Sequence, residues 1–266
     1  HRRSSMINFF LSLSTWAGVL FSMVACTVIG LGVYVVSYKL IAKYQTEEMK
    51  DSTGGLFRVI GMLVSLMLSL AFADVLVQLR SIENAVERES VAIANIYLDL
   101  QQFDDEKTRD IRAILTDYTQ SVIDDDWPSL ADDRLARRPL DLSQKIQKRV
   151  LELNPATAPQ KELWSRILND LDVASDYRYV RLDNAMAQPP IYLYVVFIGF
   201  LLTMACFGAY RPQPPLIVLV TMYTWFIGLV LYLILALSDP FQGGIGVDPS
   251  TFERLLERMR EESAKF

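Results

Sequence analysis

GGLFRVIGMLVSLMLSLAFADVLVQLRSIENAVERESVAIANIYLDLQQ, residues 54–102, is the stretch from which the rest of the fold follows. Arg58 and Arg80 bracket about 21 residues that hold one acid, Asp74. That length crosses the ~30 Å hydrocarbon core of a bilayer. We therefore predict a transmembrane helix over about 57–79.

The same helix is predicted to leave the membrane and continue into water as an amphipathic helix. Beyond Arg80 the apolar side chains recur in steps of three and four residues, a pattern typical of one helix face. Glu89 occupies one position of this face. An unpaired buried carboxylate costs several kcal/mol or more, so Glu89 is expected to have a partner.

The composition indicates an integral membrane protein. The chain is 52% hydrophobic with a mean hydropathy of +0.23, and its apolar residues lie in blocks. Cys26 and Cys206 both lie inside apolar blocks, and His1 is the only histidine. A disulfide framework, a metal site and a Ser-His triad are therefore not expected, and we predict a protein that is not an enzyme and has no cofactor.

Three further apolar runs have the length of membrane spans: 15–37, 191–210 and 214–237. We predict an all-α membrane protein with four transmembrane helices and a helical soluble domain between the second and third. The predicted units are a first transmembrane hairpin at 1–79, a soluble domain at 80–188, a second hairpin at 189–238, and an amphipathic tail at 239–266.

Small residues recur every fourth position on the first two spans. They are Gly18, Ser22, Cys26 and Gly30 on the first span, and Gly61, Ser65, Ser69 and Ala73 on the second. One interpretation is that these two helices pack together through their small residues. The other is that the second stripe, with Phe72 and Asp74, lines a pore formed by several copies.

The predicted soluble domain is acidic and helical. Residues 80–188 contain 21 acidic and 15 basic residues, which makes nucleic acid an unexpected partner. Its apolar residues fall at helical spacing between prolines. Asp124–Asp126 lack the spacing of an EF-hand, so we expect a solvated acidic loop there, with Trp127 and Pro128 anchoring a loop against a helix.

A charge pair is predicted from distances along two helices. Glu89 lies ten residues beyond Leu79, and Arg181 and Arg178 lie eight and eleven residues before Pro189. At 1.5 Å per residue all three lie roughly 12 to 16 Å from the membrane. Glu89 is therefore predicted to pair with Arg178 or Arg181, the alternative being that all three are exposed charges.

An even number of spans places both termini and the soluble domain on one side of the membrane. Seven basic residues near the spans lie on that side and five on the other, which weakly favours a cytoplasmic domain. In the tail, Phe252, Leu255, Leu256 and Met259 share one face of a short helix that is expected to dock on the soluble domain.

Four stretches of the chain resemble the bacterial bestrophin-like family. They are SLMLSLAFADVLVQL with VERESVAIANIY, then YTQSVIDDDWPSL, then YRYVRLDNA before the third span, and ALSDPFQGGIGVDP after the fourth. The family pattern singles out Glu89, Tyr118, Trp127, Pro128, Arg178, Arg181, Leu182, Pro240, Phe241 and Gly243. Where many relatives carry a basic or Asp-Arg arrangement before the Pro-Phe pair, this chain has Ser238 and Asp239.

The resemblance implies a four-span homo-oligomer, a pentamer by analogy with bestrophin channels, whose second span lines an apolar neck. It would place Gly61, Ser65, Ser69, Ala73 and Phe72 on the pore wall. No calcium clasp is recognised in this sequence, and an acid at Asp74 would disfavour anions if it faced the lumen.

Two hypotheses for the function follow. The first is a bestrophin-like ion channel of a bacterial inner membrane, whose partners are lipid, inorganic ions and further copies of the chain. The alternative is a non-conducting, membrane-anchored helical scaffold or sensor. The two differ in whether the small-residue face of the second span meets water and symmetry mates or tightly packed side chains.

Overall fold

The computed structural model describes residues 15–41, 46–103, 106–132, 134–186, 191–241 and 246–264. Within these residues the regular structure is helical, with nine α-helices and one π-helical turn. The helices are α1 (Thr15–Ile41), α2 (Glu47–Gln102), α3 (Glu106–Ser121), α4 (Trp127–Ala131), α5 (Arg137–Leu151), α6 (Ala158–Ala185), α7 (Tyr192–Phe207), α8 (Pro214–Leu237) and α9 (Ser250–Ser263).

Helix α2 is a single helix of 56 residues. At 1.5 Å per residue it is about 84 Å long, more than twice the thickness of a bilayer core. The prediction that one helix continues from the apolar stretch into the polar part of the chain is confirmed. It starts earlier than the sequence suggested, because the Thr46 side chain caps it by accepting a hydrogen bond from the Met49 backbone N–H at 3.2 Å.

The polar half of α2 buries one face against the soluble helices. The predicted stripe is buried: Ile82, Val86, Glu89, Ile93, Ile96 and Leu100 are all enclosed. Helix α6 packs along this half of α2, and α3 and α9 complete the core around it. Helix α9 buries Phe252, Leu255, Leu256 and Met259, as its pattern predicted.

The prediction of a solvated acidic loop around Asp124–Asp126 is wrong. Val122–Asp126 form a π-helical turn between α3 and α4, so the chain is helical without a break over this region. Pro128 lies in the first turn of α4, where the absence of its backbone N–H does not interrupt the helix. Asp126 is buried rather than solvated.

Three of the described helices, α1, α2 and α8, are long and apolar enough to cross a membrane. Helix α7 is equally apolar but has only 16 residues. The described chain is therefore all-helical and carries apolar, membrane-type helices.

The small residues of α1 pack against α8, and the prediction that they pair with the stripe on α2 is wrong. The Ser22 hydroxyl donates to the Gly228 carbonyl at 2.8 Å. A Cβ placed on Gly228 would lie 2.9 Å from the carbonyl oxygen of Ser22. Helix α2 packs instead on α7, where Gly199 accommodates Val64.

We expect Gly228→Ala to separate α1 from α8, because its Cβ would meet the backbone of α1 at a distance that real Cβ atoms do not adopt. Overpacking of this kind costs about 1–3 kcal/mol. Thermal unfolding in detergent measures the loss. The matched control is Gly32→Ala on α1, where the added methyl meets nothing within 4 Å; equal melting temperatures for the two variants would contradict the packing described.

Candidate functional site

The soluble helices enclose a buried ion pair between α2 and α6. Arg181 donates from Nε to Oε2 of Glu89 at 2.9 Å and from Nη2 to Oε1 at 3.3 Å. Both side chains are fully buried. This forked contact is the arrangement in which a planar guanidinium best matches a carboxylate.

The π-helical turn supplies a second carboxylate to the same arginine. Asp126 accepts a hydrogen bond from Nη2 of Arg181 at 3.1 Å. The wider turn keeps Tyr118, Val122 and Asp126, which are four residues apart, together on the buried side of the helix. Such turns inside α-helices are frequent at functional sites.

Tyr118 and Arg178 complete this buried cluster. The Tyr118 hydroxyl donates to Oε1 of Glu89 at 2.7 Å. Arg178 does not bond Glu89; its Nη1 donates to the Ser143 hydroxyl at 2.7 Å, and its guanidinium lies 6.0 Å from the centre of the Tyr118 ring. Of the two arginines considered from the sequence, Arg181 therefore contacts Glu89.

Two aromatic rings cover the guanidinium of Arg181. Its Cζ lies 5.5 Å from the centre of the Trp127 ring and 5.8 Å from that of Phe252. Trp127 also packs edge-on against Phe241 and donates from its indole N–H to the Val247 carbonyl at 3.1 Å. Through these contacts the segment that follows α8 is attached to the cluster.

The turn after α8 depends on Pro240 and Gly246. The Val247 N–H donates to the Pro240 carbonyl at 2.9 Å. A Cβ on Gly246 would lie 2.2 Å from that carbonyl oxygen, so only glycine fits. Among the other family-motif positions, Pro128 is exposed, Leu182 is half-buried, and Gly243 lies outside the described residues.

Burial and mutual attraction set the protonation of the cluster. Burial by itself would lower the pKa of Arg181, but the charge and hydrogen bonds of Glu89 outweigh it, so the pKa is raised and the guanidinium stays charged. Burial raises the pKa of Tyr118 well above its usual value, and the Glu89 carboxylate raises it further. Burial also raises the pKa of Asp126, against the opposing effect of Arg181.

The candidate pore-lining residues lie on α2 in the apolar part of the chain. Ser65 and Ser69 are exposed, and each hydroxyl donates to a carbonyl one turn earlier. A Cβ on Gly61 would meet nothing within 4 Å. Ala73 is exposed as well, so none of the other described helices covers these residues.

Phe72 and Asp74 are less exposed than Ser65, Ser69 and Ala73. Phe72 is half-buried and packs against a cluster that includes Ile234 of α8. Asp74 is half-buried beside Gln78, whose amide donates to it at 3.4 Å. Five residues at about 100° each place Asp74 roughly 140° around the helix from Ser69.

Asp126 and Gly246 are the site residues that the sequence reasoning missed. Asp126 follows Tyr118 and Val122 at four-residue intervals, and this spacing was the available signal for its burial. Gly246 gave no signal, because the close approach to Pro240 appears only in three dimensions. Within the described residues, no group of three or more His, Cys, Asp or Glu side chains could hold a metal ion.

We expect Glu89→Gln to destabilise the protein strongly. The variant removes the forked partner of Arg181 and leaves Asp126 as the remaining carboxylate bonded to it. Loss of one partner of a buried charge pair costs up to about 3–5 kcal/mol. The control is Glu152→Gln, because the pair of Glu152 with Arg149 is half-exposed and such pairs contribute about 0–1 kcal/mol. Thermal unfolding in detergent distinguishes the two variants; an unchanged melting temperature for Glu89→Gln would refute the importance of the pair.

The raised pKa of Asp126 predicts a pH-dependent effect of Asp126→Asn. Its pKa in the folded protein lies above the ordinary value of 3.8, so its contribution to stability is present below that pH and lost as the pH rises through the folded value. Asparagine does not ionise. The melting temperature of the variant minus that of the wild type should therefore increase from about pH 4 towards neutrality.

Asp125→Asn, next in the sequence and half-exposed, controls for the change in net charge. A difference for Asp126→Asn that decreases with rising pH would mean that Arg181 stabilises the carboxylate more than burial disfavours it.

A family model described as the bestrophin-like domain matches residues 13–252. No curated protein matches the chain.

Solved structures of the same fold are known. A bacterial bestrophin homologue from Klebsiella pneumoniae, in two crystal structures with different single mutations, is 14% and 13% identical with TM-scores of 0.66 and 0.67. Each match covers 91% of this chain and 99% of the other. A crystal structure described as a membrane protein is 16% identical, with a TM-score of 0.64 over 91% of this chain and 98% of the other. Because the family model spans most of the sequence, the chain belongs to the bestrophin-like family.

Proposed function

We propose that this protein is a homo-oligomeric ion channel of a bacterial inner membrane, with a pore lined by the apolar part of α2. The observation that carries the proposal is the uncovered face of α2. Ser65, Ser69 and Ala73 are exposed although α1, α7 and α8 are available to cover them. Small and hydroxyl-bearing residues on such a face suit a path for ions.

The membrane arrangement in this proposal has four spans. Helix α7 has 16 residues, about 24 Å, and the adjacent turns extend the apolar segment to 191–210, which is long enough to cross. With α1, α2, α7 and α8 all spanning, the soluble helices and both termini lie on one side, which we assign to the cytoplasm. The domain boundaries at 79, 188 and 238 are part of the same proposal.

In this proposal the buried cluster has a mechanical role. Glu89 lies on the same rigid helix as the pore wall, about 30 Å from Ser69 at 1.5 Å per residue. Arg181 lies on α6, which leads to α7. Of the rings over Arg181, Phe252 lies on α9, which follows α8, and Trp127 of α4 packs on Phe241 just after α8. The cluster thus links three of the four proposed spans at a single point.

The position of the small-residue stripe on α2 distinguishes the channel from the scaffold. In a scaffold whose spans pack without a pore, the small-residue stripe of α2 would be expected against another helix of the chain. The stripe on α1 is used in that way, against Gly228 of α8, whereas the stripe on α2 is not. Asp74 lies about 100° around the helix from Ala73, the nearest residue of the stripe, and is proposed as a contact for cations only if α2 turns that side towards the axis.

Ion flux through reconstituted liposomes tests the proposal. We expect Ser65→Phe and Ser69→Phe to reduce flux at least about tenfold, because a large side chain would obstruct a narrow neck. Val218→Phe on α8 is the matched control, since Val218 is exposed on an apolar helix outside the proposed wall. Absence of flux from an intact wild-type oligomer would favour the scaffold. Equal flux from all three variants would contradict a pore wall at Ser65 and Ser69.

A further inference from the structure

The uncovered face of α2 continues beyond the membrane-spanning part. Val91 and Leu98 are 53% and 43% exposed, and they lie about 16 Å and 27 Å beyond Arg80 at 1.5 Å per residue. Lipid tails do not reach this far. Two aliphatic side chains seven residues apart on an otherwise polar helix face indicate a surface that another protein element covers.

A groove lies beside these residues, between α2 and α6. Its volume is about 320 Å³, and its lining includes Val91, Glu87, Arg88, Asp170 and Tyr177. Arg88 is held over the Tyr177 ring at 5.7 Å. The two carboxylates leave the groove with a negative balance, and Asp172, Asp176 and Asp183 add exposed acids along α6.

The chain itself carries a surface of opposite charge on α5. This helix contains Arg137, Arg138, Lys145, Lys148 and Arg149 against a single acid, Asp141. Its buried face, with Ile146 and Val150, packs on the core, so the basic residues point outward. Leu140 and Leu151 are exposed among them. Helix α5 therefore offers cationic groups to the acids of the groove and aliphatic side chains to Val91.

The orientation of α5 disfavours a lipid surface as its partner. Ser143 contacts Arg178 and Val150 contacts Trp164, so α5 runs antiparallel to α6. Since α6 leads towards α7, the segment of α5 with Lys145 and Lys148 runs away from the membrane rather than along it. A helix that binds a bilayer through a basic face lies in the plane of the interface.

We infer that α5 of one copy docks in the α2–α6 groove of the next copy. The two surfaces are different patches of the same chain, so the contact is head-to-tail and repeats around a ring. Charge complementarity of this kind fixes partner and register. The inference rests on the proposed oligomer and identifies the surfaces that build it.

Charge reversal on each surface, followed by their combination, tests the inference. The variants are Lys145→Glu with Lys148→Glu on α5, Glu87→Lys in the groove with Asp176→Lys beside it on α6, and all four together; each residue is exposed. Native mass spectrometry of the full chain in detergent at about 0.15 M salt gives the oligomer fraction. We expect each double variant to lower it at least about tenfold and the combined variant to restore it.

Arg254→Glu with Arg258→Glu on α9 is the matched control and should keep the wild-type mass. Oligomers that persist in both double variants, or a loss that the combination does not restore, would overturn the inference. So would a loss of binding to vesicles containing anionic lipid with the oligomer unchanged. A monomeric wild-type protein would overturn the proposed channel as well. A wild-type oligomer that stays intact in the charge-reversal variants would overturn this contact alone.

Discussion

The guanidinium of Arg181 has no access to solvent, so the soluble helices must be arranged to compensate its charge. Glu89 supplies a forked contact from α2 and Asp126 a second carboxylate from the π-helical turn. Taking these groups out of water costs several kcal/mol per ion before their attraction is counted. These contacts bring α2, α6 and the turn together at Arg181, and the cluster therefore constrains how those elements pack.

The same contact has consequences at a distance because α2 is one unbroken helix. A segment held at Glu89 determines the position of the apolar segment that begins ten residues earlier, with no loop between them to absorb movement. Trp127 and Phe252 extend the constraint to the segment after α8. In a channel built on α2, the buried cluster would set the geometry of the pore from outside the membrane.

Much of this could be predicted from the sequence, for physical reasons. Hydrophobic periodicity predicted α2 and α9 and which of their faces are buried. A carboxylate in an apolar stripe required a cation at matching depth, which narrowed the partner of Glu89 to Arg178 or Arg181. The partner of the small residues on α1 could not be predicted, because spacing identifies a packing face but not the helix against it. The spacing after Tyr118 and Val122 signalled burial of Asp126, but its contact with Arg181 could not be predicted, because the π-helical turn that carries Asp126 has no clear sequence signature.

The central claim is that α2 presents its open face to a water-filled axis shared by several copies. Cryo-electron microscopy of the wild-type particle in lipid nanodiscs tests it most directly. We expect a closed ring in which α2 surrounds the axis, with Ser65 and Ser69 facing a continuous aqueous path and the Glu89–Arg181 contact present in each copy. A monomer, or a ring whose α2 helices face lipid around a sealed centre, would contradict the account.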